Sequence, residues 1–174
     1  MNTQPIKGLV NLQSLHLSSN AIDNIQPLAS LLKLEWLRLS NNSISNIWPL
    51  AKLTNLEQLH LGKNKIQNIS ALSNLHGLQK LVISDNQIAN IDVLSSLQNM
   101  KELSMEQNQI SDISVLKSMS RLRVLNLANN DISDLSPLHG LRNLRTLVVL
   151  GNPCEDDEIE KVKGMLPKCE VIYR

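Results

Sequence analysis

An asparagine returns every 22 residues along this chain, at Asn20, Asn42, Asn64, Asn86, Asn108, Asn130 and Asn152. The residues leading into each one follow one pattern, apolar at the first, fourth and sixth places. It reads LQSLHLSSN at 12–20, LEWLRLSNN at 34–42, LEQLHLGKN at 56–64, LQKLVISDN at 78–86, MKELSMEQN at 100–108, LRVLNLANN at 122–130 and LRTLVVLGN at 144–152. A period this strict, without insertion or deletion, marks a repeat architecture. One such unit cannot bury its own apolar stripe, whereas stacked units bury each other's. The chain is therefore committed to an elongated stack with one continuous core.

Each unit has two halves. Around 35–39, Leu37 and Leu39 alternate with Trp36 and Arg38, and alternation of period two predicts a strand with one buried face. Asn42 then ends the strand. Its amide both donates and accepts, so seven stacked asparagines predict a ladder that satisfies backbone groups no sheet partner reaches. Ile44, Ile47, Leu50 and Leu53 follow at intervals of three, the spacing of a 3₁₀-like return arm. Pro27, Pro49 and Pro137 lie in such arms, where a fixed φ and a missing donor suit irregular backbone better than a long helix.

Composition excludes several classes. The formal charge of +1 predicts no bulk attraction to nucleic acid. No apolar run approaches the ~18 residues of a membrane span, so no membrane insertion is expected. Residues 1–12 lack a basic segment followed by an apolar one, hence no secretory leader is read there. The core is almost wholly Leu and Ile, with no Phe in the chain.

The two ends differ from the middle. Pro5, Ile6 and Leu9 align with Pro27, Leu28 and Leu31, so the solenoid of residues 1–152 starts in mid-repeat. Two readings stand: an excised piece of a longer protein, or eleven residues folded over as a short cap. After Asn152, the stretch 153–174 reads as a cap of the same domain. Ile159, Val162 and Met165 or Leu166 form a helical stripe, with acidic residues 155–158 suited to the positive end of the helix dipole. Leu166, Cys169 and Val171 then fall 22 residues after Leu144, Leu147 and Val149, which predicts an eighth strand in the same register. Cys154 takes the place of Ile132, so both cysteines are expected inward, as packed thiols or as a disulfide.

No constellation for catalysis is present. Cys154 and Cys169 read as buried in the cap, away from any histidine. His16 and His60 share a column but stand two strands apart, about 9.6 Å, too far to share a zinc ion. There is no Gly-rich phosphate loop, and the acidic run 155–158 lacks the alternation of a calcium loop. No enzyme activity, metal or cofactor is expected.

The segments SNNSISNIWPLAKLTNLEQLHL, EQNQISDISVLKSMSRLRVLNL and ANNDISDLSPLHGLRNLRTLVV resemble the 22-residue leucine-rich repeats of bacterial internalins over nearly the whole chain. The ending GNPCEDDEIEKVKGMLPKCEVIY looks like the closure of secreted and surface bacterial leucine-rich-repeat proteins. The resemblance implies a right-handed α/β solenoid with a concave parallel sheet, 3₁₀ or irregular convex arms and a helix-plus-strand cap. It also implies binding of another protein on the concave face, at the bacterial surface or in secreted form. The leucine-rich regulatory subunit of phosphatase-1 shares the repeat length, so an intracellular scaffold or enzyme-regulatory subunit is the alternative. Neither the helical N-terminal cap of internalins nor their immunoglobulin-like domain is found within these residues.

Third, fifth and seventh motif positions are expected to project from the concave sheet. Trp36 is the one aromatic residue among them. Beside it stand Arg38 on its own strand and His16 and His60 on the flanking ones. Trp and Arg dominate interface hot spots, so these four are read as a partner anchor, with Lys80, Glu102 and Glu106 tuning orientation. The alternative is a cation–π pair of Trp36 with Arg38. The patch Val124, Val148 and Leu150 is expected under the last strand, and Trp48 outside the concave face. Oligomeric state is read as monomer or weak self-association through a free strand edge.

Overall fold

The computed structural model describes residues 6–174. Eight short strands form one parallel sheet in chain order: β1 (Ser14–His16), β2 (Trp36–Arg38), β3 (Gln58–His60), β4 (Lys80–Val82), β5 (Glu102–Ser104), β6 (Val124–Asn126), β7 (Thr146–Val148) and β8 (Glu170–Ile172). From β1 to β7 the register is the sequence period itself, as in Leu15 opposite Leu37 and Leu37 opposite Leu59. Each return arm between β1 and β7 holds a single 3₁₀ turn, for example Gln26–Ser30 and Trp48–Leu50. Parallel neighbours joined by such crossovers take the right-handed connection.

The middle residue of each strand from β2 to β7 is fully buried, and so are the arm positions Ile44, Ile47, Leu50 and Leu53 with their counterparts. The stack is held by one unbroken apolar core. At β1, Leu15 and Leu17 are only half-buried, because no described strand lies on their outer side.

The asparagines form a ladder. Asn42 Nδ2 donates to the carbonyls of Leu39 at 2.9 Å and of Leu17, one repeat back, at 3.0 Å, while its Oδ1 accepts from Ile22 N at 2.9 Å. Asn64, Asn86, Asn108 and Asn130 repeat this geometry. Their burial is less than the sequence suggests. Asn130 is buried, Asn64, Asn86 and Asn108 are half-buried, and Asn20, which bonds only its own turn, is exposed. The bonding depends on a neighbouring turn, so it is weakest where the stack has only one.

The residue before each ladder asparagine is left-handed: Ser19, Asn41, Lys63, Asp85, Gln107 and Asn129 have φ of 51° to 59°, and Gly151 has 70°. A side chain other than glycine costs about 1–2 kcal/mol there. At Gly151 a Cβ would also press on the side chain of Asn129, which would have to move aside.

A second set of polar side chains opens each 3₁₀ turn. Asn46 and Asn68 accept from the backbone N–H two residues on, as do Asp112 and Asp134 from Ser114 and Ser136. These bonds hold the carboxyls of Asp112 and Asp134 below the usual value. A depressed carboxylate contributes stability above its unfolded pKa and loses it as pH falls through the folded value. The double change Asp112→Asn, Asp134→Asn should therefore flatten the acid limb of stability. It should leave stability at neutral pH nearly unchanged, since asparagine makes the same bond elsewhere. Urea midpoints measured from neutral to acid pH check this.

The cap departs from the expected register. Val171 lies opposite Leu147 and Ile172 opposite Val148, two residues later than a 22-residue period would place them. The cause is the helix α1 (Asp156–Met165), which replaces the 3₁₀ turn. An α-helix advances about 1.5 Å per residue against about 2.0 Å for a 3₁₀ turn, so it needs more residues to return to the sheet. A slip of two keeps the inward face inward. It does move Cys169 out of the Leu147 position, to the turn just before β8. Both cysteines are half-buried and pack against the edge of the core as free thiols. Cys154 Sγ donates to the Ile132 carbonyl at 3.1 Å, and burial pushes both thiols up from their ordinary pKa.

Candidate concave binding site

Cross-strand register brings the predicted anchor together. His16, Arg38 and His60 are direct partners on β1, β2 and β3, and Trp36 is flanked by Ser14 and Gln58. Trp36 is 43% exposed, a large value for its residue type on a sheet face. Ser14, Leu15, His16, Trp36, Arg38 and Gln58 line a shallow depression of about 280 Å³. Among the described residues no cation lies over the Trp36 ring; the cation–π contacts are those of Lys163 and Arg174 with Tyr173. The indole is thus not covered by Arg38.

His60 sits on the floor of this face. Burial first, then the charges of Arg38 and Lys80, lower its pKa from 6.5. Its imidazole is accordingly neutral at physiological pH. Its Nε2 is enclosed without a hydrogen-bond partner among the described residues.

The orienting residues behave differently from one another. Lys80 and Glu102 face each other across β4 and β5 and form an ion pair of 2.6 Å. Glu106 accepts from Ser104 Oγ at 2.7 Å and is half-buried. The seventh-position column, to which Glu106 belongs, is more enclosed than expected: Gly62, Ser84 and Ala128 are buried. The chain is already bending into the asparagine turn there, and backbone bonds such as Asn41 N to Gly62 O draw adjacent repeats together. The free surface therefore consists mainly of the third and fifth columns, with half-buried members of the seventh, Glu106 among them, at its margin. At the far end Val124 stays 39% exposed, because β8 pairs with β7 and leaves β6 uncovered. Trp48, at 62% exposure, stands on the return arm at the start of its 3₁₀ turn.

Another polar feature was not anticipated. The position before the first leucine reads Asn11, Lys33, Asn55, Gly77, Asn99, Arg121 and Asn143, with asparagine in alternate repeats. Asn55, Asn99 and Asn143 donate to the carbonyls of Leu32, His76 and Ser120, one repeat back. Lys33 and Arg121 donate in turn to Asn11 and Asn99. A search for a period of two repeats reveals this signal.

An open eight-stranded parallel sheet with 3₁₀ arms, an asparagine ladder and a solvent-facing sheet surface defines a leucine-rich-repeat solenoid, a fold typical of protein–protein interaction modules. The family model "Leucine Rich repeats (2 copies)" matches residues 32–74, 76–118 and 120–161, and "Leucine Rich repeat" matches 9–25. The internalin C2 structure (inlC2) of Listeria monocytogenes is 33% identical at a TM-score of 0.88, covering 97% of this chain and 74% of that one. An internalin (inlF) of the same species is 27% identical at 0.78, over 98% of this chain and 57% of that one. The leucine-rich-repeat protein LIC12759 of Leptospira interrogans, 24% identical at 0.76, shares the fold. The chain belongs to the internalin-like leucine-rich-repeat family. It spans 57% of the inlF chain and 51% of the Leptospira chain. No curated protein sequence matched it.

Proposed function

We propose that this chain is a recognition module that holds another protein against its concave sheet, without catalysis of its own. Trp36 and Arg38 form the anchor, with His16 and His60 beside them and Lys80, Glu102 and Glu106 setting orientation. The observation that carries this reading is the indole of Trp36. It is exposed on an ordered strand beside a guanidinium that makes no ion pair among the described residues. Burying that ring and satisfying that cation are both available to a partner, and such pairs concentrate binding energy. Likeness to internalins supports a secreted or bacterial-surface setting. No helix among the described residues is long and apolar enough to cross a membrane.

The test is Trp36→Ala. Partners captured from extracts on the immobilised chain should bind the variant more weakly by about 2 kcal/mol or more, with an unchanged thermal melt. Equal affinity would remove Trp36 from the site. The alternative is an intracellular scaffold or enzyme-regulatory subunit, and immunoblotting of cell-surface, secreted and cytosolic fractions of the native source separates the two settings.

A further inference from the structure

The backbone that leads into each strand forms one rim of the solenoid. Over the last three repeats this rim carries Lys101, Arg121, Arg123, Arg142 and Arg145, and Lys168 continues it into the cap. All six are exposed, and none forms an ion pair among the described residues. Their hydrogen bonds go to neutral groups: Lys101 to Gln79, Arg121 to Asn99, Arg145 to the carbonyls of Arg142 and Leu144. Such bonds orient the cations without cancelling charge. Lys101, Arg123 and Arg145 are tied by successive backbone bonds of 2.8 Å, which sets them in a row at a strand spacing of about 4.8 Å.

The opposite rim of the same repeats carries Asp112, Asp131 and Asp134, followed by the acidic run 155–158. A surface serving solubility alone intersperses both signs. Here the cap pairs its own acidic residues, Asp156 with Arg174 and Glu158 with Lys161, whereas the six cations of the basic rim have no carboxylate partner among the described residues.

The basic row ends at a groove of about 340 Å³ lined by Arg142, Leu144, Met165, Leu166, Pro167 and Lys168. Its apolar walls include Met165, which is 59% exposed, and a cation stands among them from each side of the junction. A sulfated polymer or a phosphate surface would use the cations and leave the apolar walls wet. An acidic peptide with an apolar side chain between its carboxylates uses both, and the planar guanidinium fork matches carboxylates in pairs. We propose that this rim and groove bind such a peptide segment, independently of the concave face.

The experiment is fluorescence anisotropy of a labelled peptide of alternating Glu and Leu against the full chain at low ionic strength. Binding is expected to weaken about tenfold in Arg123→Glu, Arg145→Glu, and about tenfold in Met165→Ser at the exposed groove wall. It should fall steadily with added salt. The charge-matched change Lys63→Glu, Lys65→Glu on the other rim should leave it unaltered. Thermal melts of every variant establish folding. A poly-Glu peptide without Leu should bind about tenfold more weakly than the Glu-Leu peptide. Equal affinity for poly-Glu, insensitivity to Met165→Ser, or no binding of the Glu-Leu peptide overturns the proposal. So does self-association of the chain that disappears on reversing Arg123 and Arg145, which would assign the rim to a second copy.

Discussion

A variant ending after Glu155, without α1 and β8, is expected to aggregate at concentrations where the full chain stays dispersed. Ile159, Val162 and Leu166 are buried at 3%, 0% and 4% exposure, so the cap seals the last layer of the core. At about 1.5–3 kcal/mol for each buried side chain, their loss removes on the order of 6 kcal/mol, comparable with the whole stability of a typical domain. It also strips β7 of its pairing with β8, leaving Thr146–Val148 as an open edge beside uncovered Leu147 and Val149. Open edges and apolar patches promote association. Light scattering and a urea melt at equal concentration check the outcome. A truncated chain that stays monomeric with an unchanged midpoint would mean that α1 covers little.

Asn130→Ala is expected to cost about 3 kcal/mol, and Asn20→Ala much less. Asn130 Nδ2 serves the carbonyls of Leu127, Met105 and Ala128 at 3.0, 3.0 and 3.2 Å, and its Oδ1 serves Ile110 N at 3.1 Å. The residue is 5% exposed, so water cannot readily replace it. Stranding a buried backbone group costs about 1–3 kcal/mol. Alanine strands more than one and also releases the left-handed turn at Asn129. Asn20 makes two bonds and is exposed. Equal losses at the two positions, measured by urea midpoints, would show that burial does not govern the ladder.

The rank of the ladder residues shows how far a repeat period reaches. Every asparagine is identical in the sequence, and the period alone states that each meets its neighbour's turn. How much water each meets depends on the number of turns stacked around it, which differs between Asn20 and Asn130. The anchor on the sheet face has the same character. Placing His16, Arg38 and His60 on adjacent strands required only the 22-residue spacing. That Trp36 stands free of Arg38 while Lys80 is tied to Glu102 depends on side-chain rotamers across strands, which no spacing encodes.

By itself, then, the sequence determined the parallel sheet, the 3₁₀ arms, the leucine core and the identity of the residues that line each column. A strict period converts linear distance into spatial adjacency, and each repeat meets the same environment as the last. Tertiary structure alone decided what happens where that equivalence fails. The longer path of α1 slipped β8 by two residues, so that Val171 took the place opposite Leu147 and Cys169 moved to the core's edge. The closing turns enclosed Gly62, Ser84 and Ala128. Each of these depends on distances between side chains in neighbouring turns, where the shape of the backbone, and not its periodicity, sets what meets what.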